Sequence, residues 1–429
     1  LIPPRITPLK AWADSVADGH AEPQPRRLAR LHGVLRHAEW LGAVDKWALT
    51  SELLQLADEL SAARLGGAIG SRLRALHAAA LDRETALIEA VWQALNRDGN
   101  DPQARYARAL DTLLEQIGGD PKPICGYALG TLTAVEQQFL DRCAEHAPLT
   151  LFEPDNEDGI SLVLQQAWQT TEPPLRDRAA LLARRLPASP LQDRITLGPA
   201  PHLEAEARTV ATWVAERLRA GQRDIALIAL DRETARRVRA LLERMDVLVA
   251  DETGWTLSTT AAAAVVDRWL ECVASDFPHV ELLDLLKSPF MLGEPTGRQD
   301  QVLAFELALR RHCVSQGMAD MWRLAQREFG ALPAWLAALS DARQGFGQRR
   351  APLAVWLARL VESLTHLDAI APLTADAAGA SVLATLESLR RDLADDGEKY
   401  GFGEWRRWLN LALESESFID ASVASPIVL

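Results

Sequence analysis

The sequence predicts an α/β protein that is predominantly helical, with two short parallel-sheet units set between larger helical blocks. Three observations carry this. Short apolar runs alternate with helical patterns at residues 124–152 and again at 194–249, the order that parallel strands joined by crossover helices require. Outside those stretches leucines recur at helical spacing, as at Leu353, Leu357, Leu360 and Leu364. Proline and glycine gather at a joint, most densely over residues 118–123.

Taken in order, residues 1–25 hold Pro3, Pro4, Pro8, Pro23 and Pro25 and are expected as an extended lead-in. Residues 26–118 read as a helical domain with Leu49, Leu53, Leu56 and Leu60 on one face. Gly66, Gly67 and Gly70 interrupt it with a turn, and 97–102 is a loop. Residues 119–193 hold the first α/β unit, with strands at 124–129 and 149–152 around a helix at 133–146, followed by connecting helices over 162–186. Residues 194–275 repeat the alternation. Strands are expected at 195–197, 225–230 and 247–249 and helices at 204–220 and 232–244, which together make a three-layer domain on a parallel sheet. Strands give way to helices from Thr259 onward. Residues 276–429 form a second helical domain, broken at Pro289 and carrying Trp405 and Trp408 on its last helix. Its final residues, 427–429, read as the opening of a strand whose sheet lies beyond the chain end.

At 429 residues the chain has room for about three domains. Its 48% hydrophobic and 24% charged content excludes wholesale disorder. No apolar run approaches the ~18 residues of a membrane span, and residues 1–10 lack the basic and apolar regions of a secretory leader. Four scattered cysteines with no CxxC spacing point to a reducing compartment, so the expected location is cytoplasmic, away from membranes. A net charge of −13 argues against a generic nucleic-acid coat but leaves room for a local basic channel. Lysine numbers only five, against 41 arginines. Arginine suits bidentate phosphate contacts, and the same bias arises from a GC-rich genome.

Several chemistries can be checked residue by residue. A phosphate loop needs a Gly-Lys pair, and none occurs. Residues 247–252 form an apolar run ending in Asp251 and Glu252, a geometry that suits a metal-bound water near a nucleotide but also an ordinary turn. A nuclease site of the PD-(D/E)xK type needs two acids and a nearby lysine. Asp120-Pro-Lys122 has no Pro-Asp pair before it, and Pro154-Asp155 has no acid-x-Lys after it, so this chain is expected to hold no such site. Serine-hydrolase and HExxH motifs are also missing. Seven arginine pairs, among them Arg236-Arg237 and Arg406-Arg407, fit either solvated helix faces or a DNA channel. The 13 tryptophans fit base stacking or, at the helical spacing of Trp405 and Trp408, core packing.

One ordered set of segments is more specific. Residues 203–208 (LEAEAR), 224–232 (DIALIALDR), 235–244 (ARRVRALLER), 251–260 (DETGWTLSTT) and 282–290 (LLDLLKSPF) occur in that sequence. In this order they resemble the second RecA-like domain of superfamily-1 helicases of the UvrD/RecB kind, and most of all the AddB-type subunit of bacterial double-strand-break repair helicase–nucleases. The likeness is clearest over about residues 195–292 and weaker over 3–12 and 124–152. It implies partial RecA-like sheets with large helical insertions, in the order of domains 1B, 1A, 2A and 2B. It places Arg232 at the motif IV arginine, with Glu204 and Glu206 on the acidic helix before it, and marks Asp251 and Glu252 as further nucleotide-motif remnants.

The departures from that family pattern are specific. Asp231 replaces the usual aromatic residue, the later Gln and Arg of the motif do not line up with residues 236–238, and residues 125–130 carry no acid. The resemblance therefore implies a fold that keeps its outline without hydrolysing ATP. It implies DNA as a partner, single-stranded or as duplex ends, with Arg236, Arg237, Thr259 and Thr260 as contact candidates, and a motor helicase–nuclease subunit as a second partner. No cofactor is expected in this chain. The parent protein is expected to be longer, with a Mg²⁺-dependent PD-(D/E)xK exonuclease domain beyond residue 429. The rival readings are an active nucleotide hydrolase using Asp251 and Glu252, and a structural helical protein-interaction module.

Overall fold

A computed structural model describes residues 6–18, 22–37, 44–63, 90–93, 101–152, 163, 174–186, 188–192, 194–252, 254–293, 297–420, 425 and 427–428. The described chain is predominantly helical with few, short strands. It forms two compact units, one from Leu1–Val16, Ala109–Ala250 and Val423–Leu429, the other from Ala17–Arg108 and Asp251–Ser422.

Helices α1 (Leu9–Asp14) and α2 (Gln24–Leu35) start directly after Pro8 and Pro23. The N-terminal prolines thus open helices where an extended lead-in over residues 1–25 is expected. Proline in a first turn lacks only an N–H that has no intrahelical partner, so it is tolerated there. Helix α3 (Lys46–Ala62) is capped by the Asp45 carboxylate, which accepts from the Trp47 N–H. Its buried residues are Trp47, Thr50, Leu54, Ala57 and Ser61, a face rotated from the expected leucine stripe, and Leu56 is 38% exposed. The tryptophan offers more area to bury than any leucine and sets the rotation. The glycine turn at 66–70 lies outside the described residues. Helix α4 (Pro102–Gly119) completes this region.

Strand β1 (Ile124–Tyr127), helix α5 (Ala134–His146) and strand β2 (Leu149–Phe152) build the expected unit. The strands pair in parallel from Ile124↔Leu149 to Tyr127↔Phe152. Thr133 and Glu136 form a capping box that fixes where α5 begins. Strand β1 stops short of residue 129 because Ala128 turns the chain with φ 50°. Of the helical stretch expected over 162–186, α6 (Leu175–Arg185) is described, as is residue 163; the remainder, apart from 174 and 186, lies outside the described residues.

Helix α7 (Leu203–Arg219), strand β3 (Ile225–Ala226) and helix α8 (Arg232–Glu243) follow, and the two helices pack together. The strands here are shorter than the sequence predicts. Residues 195–197 and 247–249 form none, and pairing along 225–230 covers only its first two residues. The partner is supplied from the far end of the chain. Ile427 and Val428 run parallel to Ile225 and Ala226, and Ala250 bridges Val428. This corrects the expectation that the terminal strand belongs to a sheet beyond residue 429. Ile427 is fully buried among Ala207, Ala211 and Val214 of α7, Val238 and Leu242 of α8, and Val249. A strand extends only as far as it has a neighbour to bond, and Ile228 and Leu230, past the pairing, are 91% and 102% exposed.

The second unit is a helical block. Strand β4 (Trp255–Thr256) leads into α9 (Ala261–Ala274), α10 (His279–Lys287), α11 (Arg298–Arg311), α12 (Met318–Phe329) and α13 (Ala334–Ala342). Then come β5 (Ala351–Pro352), α14 (Leu353–His366), α15 (Ile370–Ala375), α16 (Ala377–Asp392), β6 (Lys399–Tyr400), α17 (Phe402–Ser415) and β7 (Ser417–Phe418). The expected break at Pro289 is present, since α10 ends at Lys287 and Ser288 is extended. Strands do not vanish entirely after Thr259, because β5 pairs with β6 and β4 with β7, two residues each and antiparallel. One core joins these helices. Leu353, Leu357, Leu360 and Leu364 are all fully buried, as are Trp405 and Trp408. Trp356 and Trp405 stack at 5.7 Å, and the Trp356 Nε1–H donates to the Tyr400 carbonyl at 3.0 Å.

Candidate nucleic-acid interface

In the first unit the sequence-predicted residues converge on the starts of α7 and α8. The His202 Nδ1 accepts from the Ala205 N–H and caps α7, while the Asp231 carboxylate accepts from the Thr234 N–H and caps α8. Asp231 therefore does the work of a helix cap, and the bonds from Thr234 hold its carboxyl below the usual range. Glu204, in the first turn of α7, receives two hydrogen bonds from Arg237 and one from Arg208 at 2.9 Å. The Arg237 bonds are the main reason that the Glu204 carboxyl falls to about 2.

Arg237 is thus engaged within the fold. Arg232 and Arg236, one helical turn apart on α8, are both exposed, as is Glu233. The structure brings Glu204, Arg232, Arg236 and Arg237 onto two packed helices. A guanidinium ridge beside a helix start can hold phosphate oxygens, with the Glu204 carboxylate limiting how much positive charge Arg237 and Arg208 present.

The other four candidates belong to the second unit, and each has a local structural role or an exposed position. Thr260 is the N-cap of α9, its Oγ1 accepting from the Ala263 N–H, and the Thr259 hydroxyl donates to the Thr256 carbonyl. The Asp251 carboxylate accepts from the Gly254 N–H at 3.0 Å in a turn, and Glu252 is exposed. Gly254 has φ 68°, and an added Cβ would meet the Phe418 carbonyl, so the turn requires glycine there. Among the described residues no group of three or more His, Cys, Asp or Glu side chains is placed to hold a metal ion.

The arginine pairs resolve unevenly. Arg27 is buried against Asp58, Arg310 bonds Glu306, Arg311 meets Glu328, Arg350 meets Glu404, Arg390 meets Glu387, and Arg406 joins Asp267 and Glu271. Much of the arginine surplus is spent on intrachain acids, consistent with a net charge that is acidic. His202 and Asp231 are caps that the sequence reading did not assign, although Asp231 two residues before Glu233 and a helical run carries a capping signal. No helix among the described residues is long and apolar enough to cross a membrane. Neither a protein-family model nor a curated protein sequence matches this chain.

Proposed function

We propose that the chain is a degenerate helicase-like region of an AddB-type helicase–nuclease subunit, a DNA-binding scaffold in double-strand-break repair that works beside a motor subunit and does not itself hydrolyse ATP. One observation supports this above the others. The parallel pair Ile225↔Ile427 joins strands that flank residues 251–422 in sequence, so an α/β layer takes its next strand only after a long helical insertion. That is the connectivity which a RecA-like domain interrupted by a 2B-like block has. The missing Gly-Lys pair is the reason for placing ATP hydrolysis on the partner.

Fluorescence anisotropy with single-stranded and forked DNA over a salt series tests the reading. Affinity should fall steeply with salt, because each neutralised phosphate releases counterions, and Arg232→Ala with Arg236→Ala should flatten the slope. No salt-sensitive binding, by this chain or by a longer form, would sink it. The engagement of so many arginines by intrachain acids favours a second reading, a helical protein-interaction module. That reading gains if a partner protein is captured under conditions where DNA is not.

A further inference from the structure

The helical unit contains a cavity of about 930 Å³ that none of the sequence motifs marks. Its walls are Leu292, Phe329, Leu332, Trp335 and Ala338, and two polar residues, Gln301 and Asp368, also line it. That size and this mixture, largely apolar with a few polar groups, are what sites for small organic ligands have. The aromatic wall is held in place from behind, since the Trp335 indole meets Phe305 edge-on at 5.0 Å and Phe305 lies 6.5 Å from Phe329.

Charge gives the cavity a direction. Asp368 follows the last turn of α14, where the Ala369 N–H bonds the Leu364 carbonyl and the Asp368 N–H bonds the Thr365 carbonyl. The negative end of the α14 dipole therefore lies beside the Asp368 carboxylate. Among the described residues Asp368 forms no ion pair. Its φ of 50° is a left-handed conformation that glycine adopts at less cost, yet a carboxylate stands there.

We infer that this cavity is a binding site for a small amphipathic amine, whose aromatic or aliphatic body fills the Phe329–Leu332–Trp335 wall and whose ammonium group meets Asp368. The inference is independent of the DNA reading, because it rests on a different unit and on different residues. An ammonium ion satisfies both the carboxylate and the helix end, whereas a carboxylate or phosphate ligand would be repelled by them. Gln301 offers an amide for a second polar group on the ligand.

The test uses the full chain and a matched pair of probes, 2-(1-naphthyl)ethylamine and its neutral alcohol counterpart, titrated by calorimetry. The amine should bind about tenfold more tightly than the alcohol, and Asp368→Asn should abolish that difference. Ala338→Trp, which places an indole in the part of the cavity that Ala338 lines, should weaken binding of both. A thermal melt confirms that each variant is folded, and Asp368→Gly, which relieves the backbone conformation, should behave as Asp368→Asn does. Failure of the amine to bind the natural chain would overturn the proposal. So would equal affinity for the two probes, and so would amine affinity that neither Ala338→Trp nor Asp368→Asn changes, which would place the probe outside the cavity.

Discussion

The Arg237 guanidinium clasps the Glu204 carboxylate with two hydrogen bonds, Nε–H to Oε2 at 2.5 Å and an Nη2–H to Oε1 at 2.8 Å. This fork ties the second turn of α8 to the first turn of α7, across two helices that share one small core. It also decides which of two adjacent arginines is held inward and which stays exposed.

Glu204→Gln should therefore have two separable effects. It releases Arg237 and Arg208 from a negative neighbour, so DNA affinity at low salt should rise. It also removes the acid-sensitive part of the tie. The Glu204 carboxyl sits at about 2 in the folded chain, below its unfolded value, so its stabilisation is present above about 4.5 and is lost as pH falls through 2. An acid titration of the variant should lack that component, and a salt series of DNA binding reads the other effect.

His32 predicts a second pH dependence, in the helical unit. Its ring stacks on Trp47 at 3.5 Å and 10°, with Tyr400 at 5.8 Å. Burial is the main cause that lowers it to about 4, with Arg36 and Lys46 acting in the same direction and Glu404 and Asp45 opposing. A depressed folded value means that stability is full above about 6.5 and is lost as pH falls towards 4. The loss should amount to ~3 kcal/mol. Urea melts from pH 7 to pH 4 should show it, and His32→Phe, which keeps a ring to stack, should shrink the difference between the two ends by that amount.

Thr260 separates a cap from a phosphate contact. Thr260→Ala should cost about 1 kcal/mol by leaving the Ala263 N–H without its oxygen, whereas Thr260→Asp keeps the cap. Equal stability of natural chain and Asp variant, with DNA binding unchanged in both variants, would assign the residue to structure alone. Weaker DNA binding in the Asp variant, with stability intact, would assign it to the interface.

Ile427→Ala should loosen the small α/β layer and leave the helical block alone. The side chain is fully buried at the centre of the cluster formed by α7, α8 and Val249. Truncating it should cost about 2–5 kcal/mol. Hydrogen exchange should quicken at Leu227 and Ala250, whose N–H groups donate to Val428 and Ile427, while amides of α14 keep their protection.

The nucleotide-hydrolase reading makes its own prediction, which the turn geometry opposes. If Asp251 serves this turn and no nucleotide, calorimetry with Mg²⁺ and ATP should register no binding, and Asp251→Asn should retain the bond to the Gly254 N–H because the amide oxygen still accepts. Measurable ATP turnover lost in Asp251→Asn would reverse this.

Local patterns carried much of the architecture. The leucines of α14 and the cap at Thr133 and Glu136 are legible because helical bonds and caps reach only three or four residues along the chain, and the strand–helix–strand unit at residues 124–152 because its apolar runs and its helix follow one another directly in sequence. The burial of Trp405 and Trp408 follows from the same spacing. The missing phosphate loop is likewise a property of the sequence alone.

Tertiary structure decided what depends on distant partners. Arg237 finds Glu204 33 residues away and Arg406 finds Asp267 139 away, and no local rule says which arginine of a pair will be taken. Pro8 and Pro23 stand at helix starts, where a missing N–H costs nothing, and Trp47 rotates α3 away from its leucine stripe. Strand pairing is the plainest case. The β-propensity of residues 225–230 says that they can form a strand, but a strand's length and neighbours are set by which other backbone meets its edge, and here that edge is met by Ile427 and Val428.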